Sequence, residues 1–276
     1  MLRKVNELHA YSLLATDGEL GKVKDVFFDD EKWTIRYLVV ETGSWLNSRR
    51  VLISPYSIAR IDSADESIAV RLTQEQVRNS PDIDTHQPIS RQMEGDFSRY
   101  YGLGNYWIGP ELWGTGAYPL VGAPNAEGGG HIPSRAEELL QAASDNPEDS
   151  HLRSADNVKG HHIQGTDEEI GHVEDFLFDD ESWALRYFLV DTRNWWPGGR
   201  KVLVATHWID RIDWASSLVY VNLTQEQIRN SPEHDPNQPL DRSTENTLHL
   251  HYGKRNYWEW AGWNCVRPAS RRRRSS

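Results

Sequence analysis

Apolar and polar residues follow one another in short stretches along this chain, which is the pattern of β-strands. Trp33–Thr42 carries apolar or aromatic residues on both of its faces, so it is predicted to be a buried strand. The runs at 50–55, 57–63 and 67–72 give three further short strands, separated by turn residues. Several short strands at this spacing favour a small antiparallel barrel or sandwich.

The same pattern occurs twice. The sequence from Leu2 to Thr42 recurs from Leu152 to Thr192, and VRLTQEQVRNSP (70–81) recurs as VNLTQEQIRNSP (221–232). The repeated phrase predicts a strand that leads into a helix, because Thr73 with Gln three residues later forms a capping box. The Asn-Ser-Pro triplet then ends the helix.

The duplication predicts a mainly β protein of two tandem small β-barrels, each followed by short helices. The first copy covers residues 1–107 and the second covers residues 151–258. The segment 108–150 is rich in Gly, Pro and Ala and is predicted to be a linker. Residues 259–276 form a tail with no counterpart in the first copy.

Four segments resemble the PRC-barrel family. They are the Asp-Gly turn before GKVKDVFFDD, the strand WTIRYLVVETG, the strand RVLISP and the segment IARIDSADESIAVRLTQEQV. The family includes the cytoplasmic domain of the photosynthetic reaction-centre H subunit and the C-terminal domain of a ribosome-maturation factor. The resemblance implies a small barrel that contacts other proteins and has no chemistry of its own. This chain lacks the membrane helix of the first relative and the separate RNA–protein-binding barrel of the second.

The net charge of −11, despite the basic run Arg271–Arg274, argues against nucleic acid as a partner. No apolar stretch reaches the length of a membrane span, and the N-terminus lacks the apolar core of a signal peptide. We therefore expect a soluble cytoplasmic protein. The single Cys265 excludes a disulfide within the chain.

Candidate metal and catalytic residues are few. The acidic triplets 29–31 and 179–181 lack the spacing of a calcium loop, and we interpret them as solvated hairpin tips. His249 and His251 would share a face on a strand, but the first copy has neither. No nucleotide-binding, metalloprotease or hydrolase motif occurs. We predict no cofactor, no metal and no enzymatic activity.

Aromatic residues in two loops and in the segments that close each copy are the candidate contact residues. They contact either the other copy or a partner, or they cap the ends of the barrels. The segments YGLGNYW and YGKRNYW are expected to join the copies as an intramolecular pair with approximate two-fold symmetry. The candidates are Trp45, Tyr106, Trp107, Trp195, Trp196, Tyr257 and Trp258.

Three functions remain open from the sequence. The first is a non-catalytic protein–protein interaction module with an unidentified partner protein. The second is an electron-transport accessory protein similar to the reaction-centre H subunit but without a membrane helix. The third is a small-molecule-binding or hydrolytic domain that uses the cleft between the copies.

Overall fold

The computed structural model describes residues 1–81, 89–120, 151–193, 199–235 and 238–260. Trp195, Trp196 and Cys265 lie outside these ranges, as do most of the predicted linker and tail. The described chain is mainly β with short helices, and its two copies follow the same order of strands.

The first copy contains seven strands in its described residues. Its first four are β1 (Leu2–Lys4), β2 (Ser12–Leu14), β3 (Glu19–Asp29) and β4 (Thr34–Thr42). They are followed by β5 (Arg50–Ile53), β6 (Ile58–Asp62) and β7 (Ser67–Val70). Two helices end the copy, α1 (Gln74–Arg78) and α2 (Arg91–Tyr101). Short 3-10 turns lie at Val5–Ala10, Ser44–Leu46 and Pro55–Ser57.

The second copy repeats these elements. Its strands are β8 (Leu152–Ser154), β9 (His162–Gln164), β10 (Glu169–Asp179), β11 (Leu185–Asp191), β12 (Lys201–Ala205), β13 (Ile209–Asp213) and β14 (Leu218–Val221). Its helices are α3 (Ala155–Val158), α4 (Gln225–Arg229) and α5 (Arg242–His251). The turns Thr206–Trp208 and Tyr257–Trp260 are 3-10.

Each copy forms one mixed sheet. The order is β5-β4-β3-β2-β7-β6 in the first copy and β12-β11-β10-β9-β14-β13 in the second. The pairs β2–β7 and β9–β14 are parallel, and the other pairs are antiparallel. The expectation of closed barrels is wrong, because no described pairing joins β5 to β6. The 3-10 turn Pro55–Ser57 lies between these two strands, and β6 pairs only with β7.

The repeated phrase forms the predicted strand-to-helix junction in both copies. The Thr73 hydroxyl accepts a hydrogen bond from the Gln76 N–H, and the Gln76 side chain accepts one from the Thr73 N–H. Thr224 and Gln227 make the same reciprocal pair. The capping boxes read from the sequence are therefore confirmed.

Each copy contributes its first strand to the sheet of the other copy. β1 pairs with the end of β10, with Leu2 opposite Asp179. β8 pairs with the end of β3, with Leu152 opposite Asp29. Because the two pairings use equivalent positions, the copies are related as an approximate two-fold pair. The boundaries of the sequence repeat are consequently not the boundaries of the sheets.

The acidic hairpin ends hold the exchanged strands. Asp30 pairs with Arg153 (2.8 Å), and Asp180 pairs with Arg3 (2.7 Å). Asp29 is only 1% exposed. The interpretation of these triplets as solvated tips is therefore wrong for these carboxylates. The exchange brings an arginine of the other copy onto Asp30 and Asp180, and Arg36 of the same copy pairs with Asp29.

Two further carboxylates anchor the segments that follow the exchanged strands. Asp25 and Asp175 lie at equivalent bulges, where the register with the neighbouring strand shifts. Asp25 accepts a hydrogen bond from the Ser154 hydroxyl (2.6 Å), and Asp175 accepts one from the Asn6 backbone N–H (3.2 Å). Burial raises the pKa of both carboxyls, that of Asp175 to about 6.

Aromatic rings fill the junction between the copies. Phe28 stacks on Trp33 (5.5 Å between centroids) and also meets Phe176 of the second copy (5.6 Å). Trp33 meets Phe188 of the second copy edge-on (5.3 Å). A single hydrophobic core therefore runs through both copies.

Backbone hydrogen bonds cross the same junction. The Ile35 N–H donates to the Trp183 carbonyl (2.8 Å), and the Leu185 N–H donates to the Trp33 carbonyl (2.7 Å). The two tryptophans are 9% and 3% exposed, so both lie within the core. The described copies thus form one body through strands, rings and backbone bonds.

Candidate functional site

Tyr106, predicted as a contact residue, lies inside its own copy. Its ring covers the guanidinium of Arg36, which is 3.7 Å from the ring centroid. Arg36 is fully buried and pairs with Asp29 (3.0 Å). Burial alone would raise the pKa of Asp29, but Arg36 and backbone donors hold that pKa below its usual value. In the sequence, the position of Arg36 within the most apolar strand indicates that a buried carboxylate must pair with it.

A buried carboxylate completes this cluster. Glu94 on α2 accepts hydrogen bonds from the hydroxyls of Tyr106 (2.6 Å) and Tyr37 (3.3 Å), and it pairs with Arg91 (3.0 Å). Burial raises the pKa of Glu94, and Arg91 opposes that shift. The cluster fixes α2 and the closing segment of the copy to β4, which is a structural role.

The second copy repeats the cluster with equivalent residues. Tyr187 donates to Glu245 (3.1 Å), and Arg242 donates to the Tyr257 hydroxyl (2.9 Å). The guanidinium of Arg186 lies 4.3 Å from the centroid of the Tyr257 ring. Tyr106 and Tyr257 therefore close their own copies, and the expectation that they join the two copies is corrected. The exchanged strands and the aromatic junction join the copies instead.

His249 is buried in this second cluster. It lies on α5, so the assumption that His249 and His251 share the face of a strand is wrong. One ring nitrogen of His249 is 2.9 Å from the Arg255 carbonyl, and the other is 2.9 Å from the Tyr187 hydroxyl. Burial lowers the pKa of His249, so the neutral form is favoured. Ser98 occupies the equivalent position in the first copy.

The other predicted aromatic residues that the structure describes also contact their own copies. The indole N–H of Trp45 donates to the Leu20 carbonyl (2.8 Å). Trp107 packs beside Arg91 (5.1 Å), and Trp258 packs beside Arg242 (4.3 Å). Each of these three rings is partly exposed, so each also borders solvent.

The first part of the predicted linker is folded against both copies. The Lys32 ammonium donates to the carbonyls of Gly109 (3.0 Å) and Glu111 (2.6 Å). Trp113 is 4% exposed, and its indole N–H donates to the Ser182 carbonyl of the second copy (2.7 Å). Residues 108–120 are thus not a free linker, and they carry the chain to the boundary between the copies.

A cleft of about 800 Å³ lies at that boundary. β6 of the first copy forms one wall, and Asp180 and Glu181 of the second copy contribute to another. Tyr118–Leu120 also line it, and Arg3 and Arg71 project toward it. Tyr118 and Leu120 are 47% and 75% exposed. The sequence suggested a cleft between the copies but not which residues line it, because the cleft exists only where both copies and the segment 108–120 meet.

The equivalent surface of the second copy differs in its side chains. Trp214 stands where the first copy has Ser63, and it lies 4.3 Å below the guanidinium of Arg153. Asn222 replaces Arg71. The equivalent surfaces of the two copies are therefore chemically distinct. The positions at which they differ are those where the sequences of the two copies differ.

The residues that the structure describes contain no group of three or more His, Cys, Asp or Glu side chains placed to hold a metal ion. They also contain no helix that is both long and apolar enough to cross a bilayer.

Comparison with known proteins agrees with the duplication. A profile described as PRC-barrel domain matches residues 4–77 and again residues 151–228. A comparison with curated protein sequences found no match. The two profile matches together span more than half of the chain and confirm the resemblance read from the sequence. The chain belongs to the PRC-barrel domain family, as a tandem duplicate whose copies exchange their first strands.

Proposed function

We propose that this protein is a non-catalytic protein–protein interaction module that binds a partner protein in the cleft between its two copies. The resemblance to the PRC-barrel family, whose domains contact other proteins, supports an interaction role. The observation that carries the proposal is the cleft itself, because residues of both copies line it. Exposed aromatic and aliphatic side chains beside charged groups are typical of contact surfaces.

The exchange of strands supports this role because it fixes the walls of the cleft. Arg3 on the exchanged β1 donates to Asp180 of the second copy and to Ser63 of the first copy (2.5 Å). Both walls are therefore held by one side chain as well as by the shared core. A preformed surface loses less conformational entropy on binding than a mobile one.

Capture followed by reconstitution tests the proposal. The full chain is used to capture proteins from its native cells, and the binary complex is then rebuilt from purified components. The double variant Tyr118→Ala/Leu120→Ala is expected to weaken that complex about tenfold or more, since exposed anchors of this kind supply much of an interface's free energy. Leu250→Ala is the matched control, because Leu250 is also an exposed aliphatic residue (71%) but lies on α5 of the second copy.

Two results would contradict the proposal. One is an affinity that the double variant leaves unchanged. The other is an equal loss of affinity in the Leu250→Ala control, which would indicate a surface elsewhere or a general loss of fold. The denaturation midpoint of each variant separates a lost contact from a lost fold.

Binding of a small molecule in the same cleft is the second candidate. The volume of about 800 Å³ falls within the range of small-molecule sites. A dialysable anion that raises the unfolding temperature of the chain, but not that of an Arg71→Ala variant, would favour this candidate over a partner protein.

A further inference from the structure

We infer that the cleft binds an extended acidic segment of a partner protein. This inference rests on the proposed function, because it names the chemical class of the ligand that the cleft binds. The partner is defined by carboxylate side chains along a peptide in β conformation.

Two exposed arginines are the first observation. Arg71 is exposed, and within the part of the chain that the structure describes it has no ion pair. Arg60 is 70% exposed on its side chain and lies 3.6 Å from Asp62, at the outer limit of an ion pair. Both line the cleft. The guanidinium of Arg71, unpaired among the described residues, and the exposed guanidinium of Arg60, whose pair with Asp62 is long, favour carboxylates, which arginine binds in a bidentate manner.

The second copy differs from the first at the positions equivalent to Arg60 and Arg71. Arg211, the equivalent of Arg60, lies 3.6 Å over the Tyr220 ring centroid and 3.4 Å from Asp210. Asn222, the equivalent of Arg71, carries no charge. The cation at Arg71, which has no ion pair in the described part of the chain, is therefore a feature of one cleft and not of the repeated fold.

The edge of the first sheet is the second observation. β6 ends the strand order, so one side of its backbone has no strand partner among the described residues. Four consecutive residues of this strand, 58–61, line the cleft. The pairing of β6 shifts register between Ile58 and Arg60, but Arg60 and Ile61 pair regularly with β7. Because successive side chains of a regular strand point to opposite faces, the presence of both at the cleft indicates that the backbone edge faces it. An extended peptide can add to such an edge through main-chain hydrogen bonds.

The charges favour a peptide over a nucleic acid. Asp180 and Glu181 also line the cleft, and Asp180 is paired with Arg3. A nucleic-acid backbone would bring a continuous row of phosphates against these two carboxylates. A peptide can place its acids at Arg60 and Arg71 and an apolar side chain beside Tyr118.

Fluorescence anisotropy with defined probes tests the inference on the full chain. The fluorescein-labelled peptide GDLEVDLESG is compared with its uncharged counterpart GNLQVNLQSG and with a thymidine oligonucleotide of similar length. The acidic peptide is expected to bind more tightly than either, with affinity that falls as salt rises. Arg60→Ala/Arg71→Ala is expected to weaken its binding about fivefold or more, as for the loss of two exposed ion pairs. Arg211→Ala, the matched control from the second copy, is expected to leave binding unchanged.

Four results would overturn the inference. Equal binding of the two peptides would remove the requirement for acids, and tighter binding of the oligonucleotide would assign the cleft to nucleic acid. Equal weakening by Arg211→Ala would show an unspecific effect of charge. Binding that appears only after a protease site within 121–150 is cut would show that the chain's own segment occupies the cleft.

The failure of the inference is distinguishable from that of the proposed function. If the uncharged peptide binds as well and Tyr118→Ala/Leu120→Ala still weakens the partner complex, the cleft is an interaction site without acid selectivity. If that double variant leaves the partner complex intact, the proposed function itself fails.

Discussion

Trp33 and Trp183 combine a buried ring with an unusual backbone. Their φ angles are 50° and 60°, in the left-handed region that favours glycine. A bulky residue there costs on the order of 1–2 kcal/mol. The rings stack on Phe28 and Phe178, and both carbonyls accept hydrogen bonds from the other copy. The packing of the junction offsets the strain of the backbone.

Truncating Trp33 tests this balance. Trp33→Ala is expected to lower the free energy of unfolding by about 3–5 kcal/mol, because a large buried ring leaves a cavity. Trp33→Gly is expected to be about 1 kcal/mol more stable than Trp33→Ala, because glycine adopts positive φ without strain. Chemical denaturation of both variants measures the difference. A loss below about 1 kcal/mol for Trp33→Ala, or a glycine variant weaker than the alanine variant, would contradict this account.

His249 gives the second copy a pH response at a position where the first copy has Ser98. Around it lie Tyr187, Glu245, His207 and the Arg255 carbonyl. Because burial lowers the pKa of His249, the unfolded chain binds this proton more readily than the folded chain. Neutral His249 therefore stabilises the folded chain at pH values above the pKa that this histidine has in the unfolded chain. This stabilisation is lost as the pH falls.

The variant His249→Gln is expected to reduce the loss of stability on acidification. Glutamine keeps a donor and an acceptor but does not titrate. Urea midpoints at about pH 7.5 and about pH 5 are compared for both proteins, and the drop should be smaller in the variant. An equal drop would mean that His249 does not titrate in this range. His251→Gln is the control, since His251 is exposed on the same helix.

At the scale of elements, the exchanged segments rest on carboxylates with raised pKa values. Asp175 has a pKa of about 6 in the folded chain, above the ordinary value of 3.8. The folded chain therefore holds the proton of Asp175 more tightly than the unfolded chain does. The stability that protonated Asp175 adds to the fold is lost as the pH rises from about 4 to about 6. Ionisation of Asp175 thus weakens the attachment of the exchanged segment.

Asp175→Asn is expected to stabilise the protein at about pH 8, by on the order of 1–3 kcal/mol. The amide oxygen still accepts from Phe176 and Asn6 but carries no buried charge. Urea denaturation at about pH 8 and about pH 4 measures the change, which should shrink at the lower pH. The exposed Asp65→Asn is the control. A destabilised Asp175→Asn variant at about pH 8 would contradict the raised pKa.

The elements themselves were largely predictable from sequence. The apolar patterning located β4 to β7, and the capping boxes located α1 and α4, because these signals are local. The partner of β1 was not predictable. Both copies carry the same first strand and the same acceptor edge, so the sequence fits pairing within a copy and pairing between copies equally well.

The site was less predictable than the fold. Tyr106 and Tyr257 were singled out as contact residues, but the buried Arg36 and the partly buried Arg186 draw them into their own copies. The cleft depends on the relative placement of both copies, which no local pattern encodes. The one sequence signal for it is Arg71, which the second copy replaces with Asn222.

At the scale of the whole molecule, the two copies are expected to be one cooperative unit and not two beads on a tether. Each sheet contains a strand of the other copy, and one hydrophobic core includes residues of both. Neither copy alone would present a complete sheet or the walls of the cleft. The cleft can act as a fixed binding site only if the two copies form one unit.

Cleavage of the chain between the copies is the most direct test. A specific protease site replaces Gly128–Gly130, and the cut protein is examined by size-exclusion chromatography with light scattering in native buffer. We predict that the halves stay together with a mass near the 31.8 kDa of the intact chain and separate only in denaturant. Two folded halves that separate in native buffer would contradict the strand exchange and, with it, the cleft as a fixed binding site.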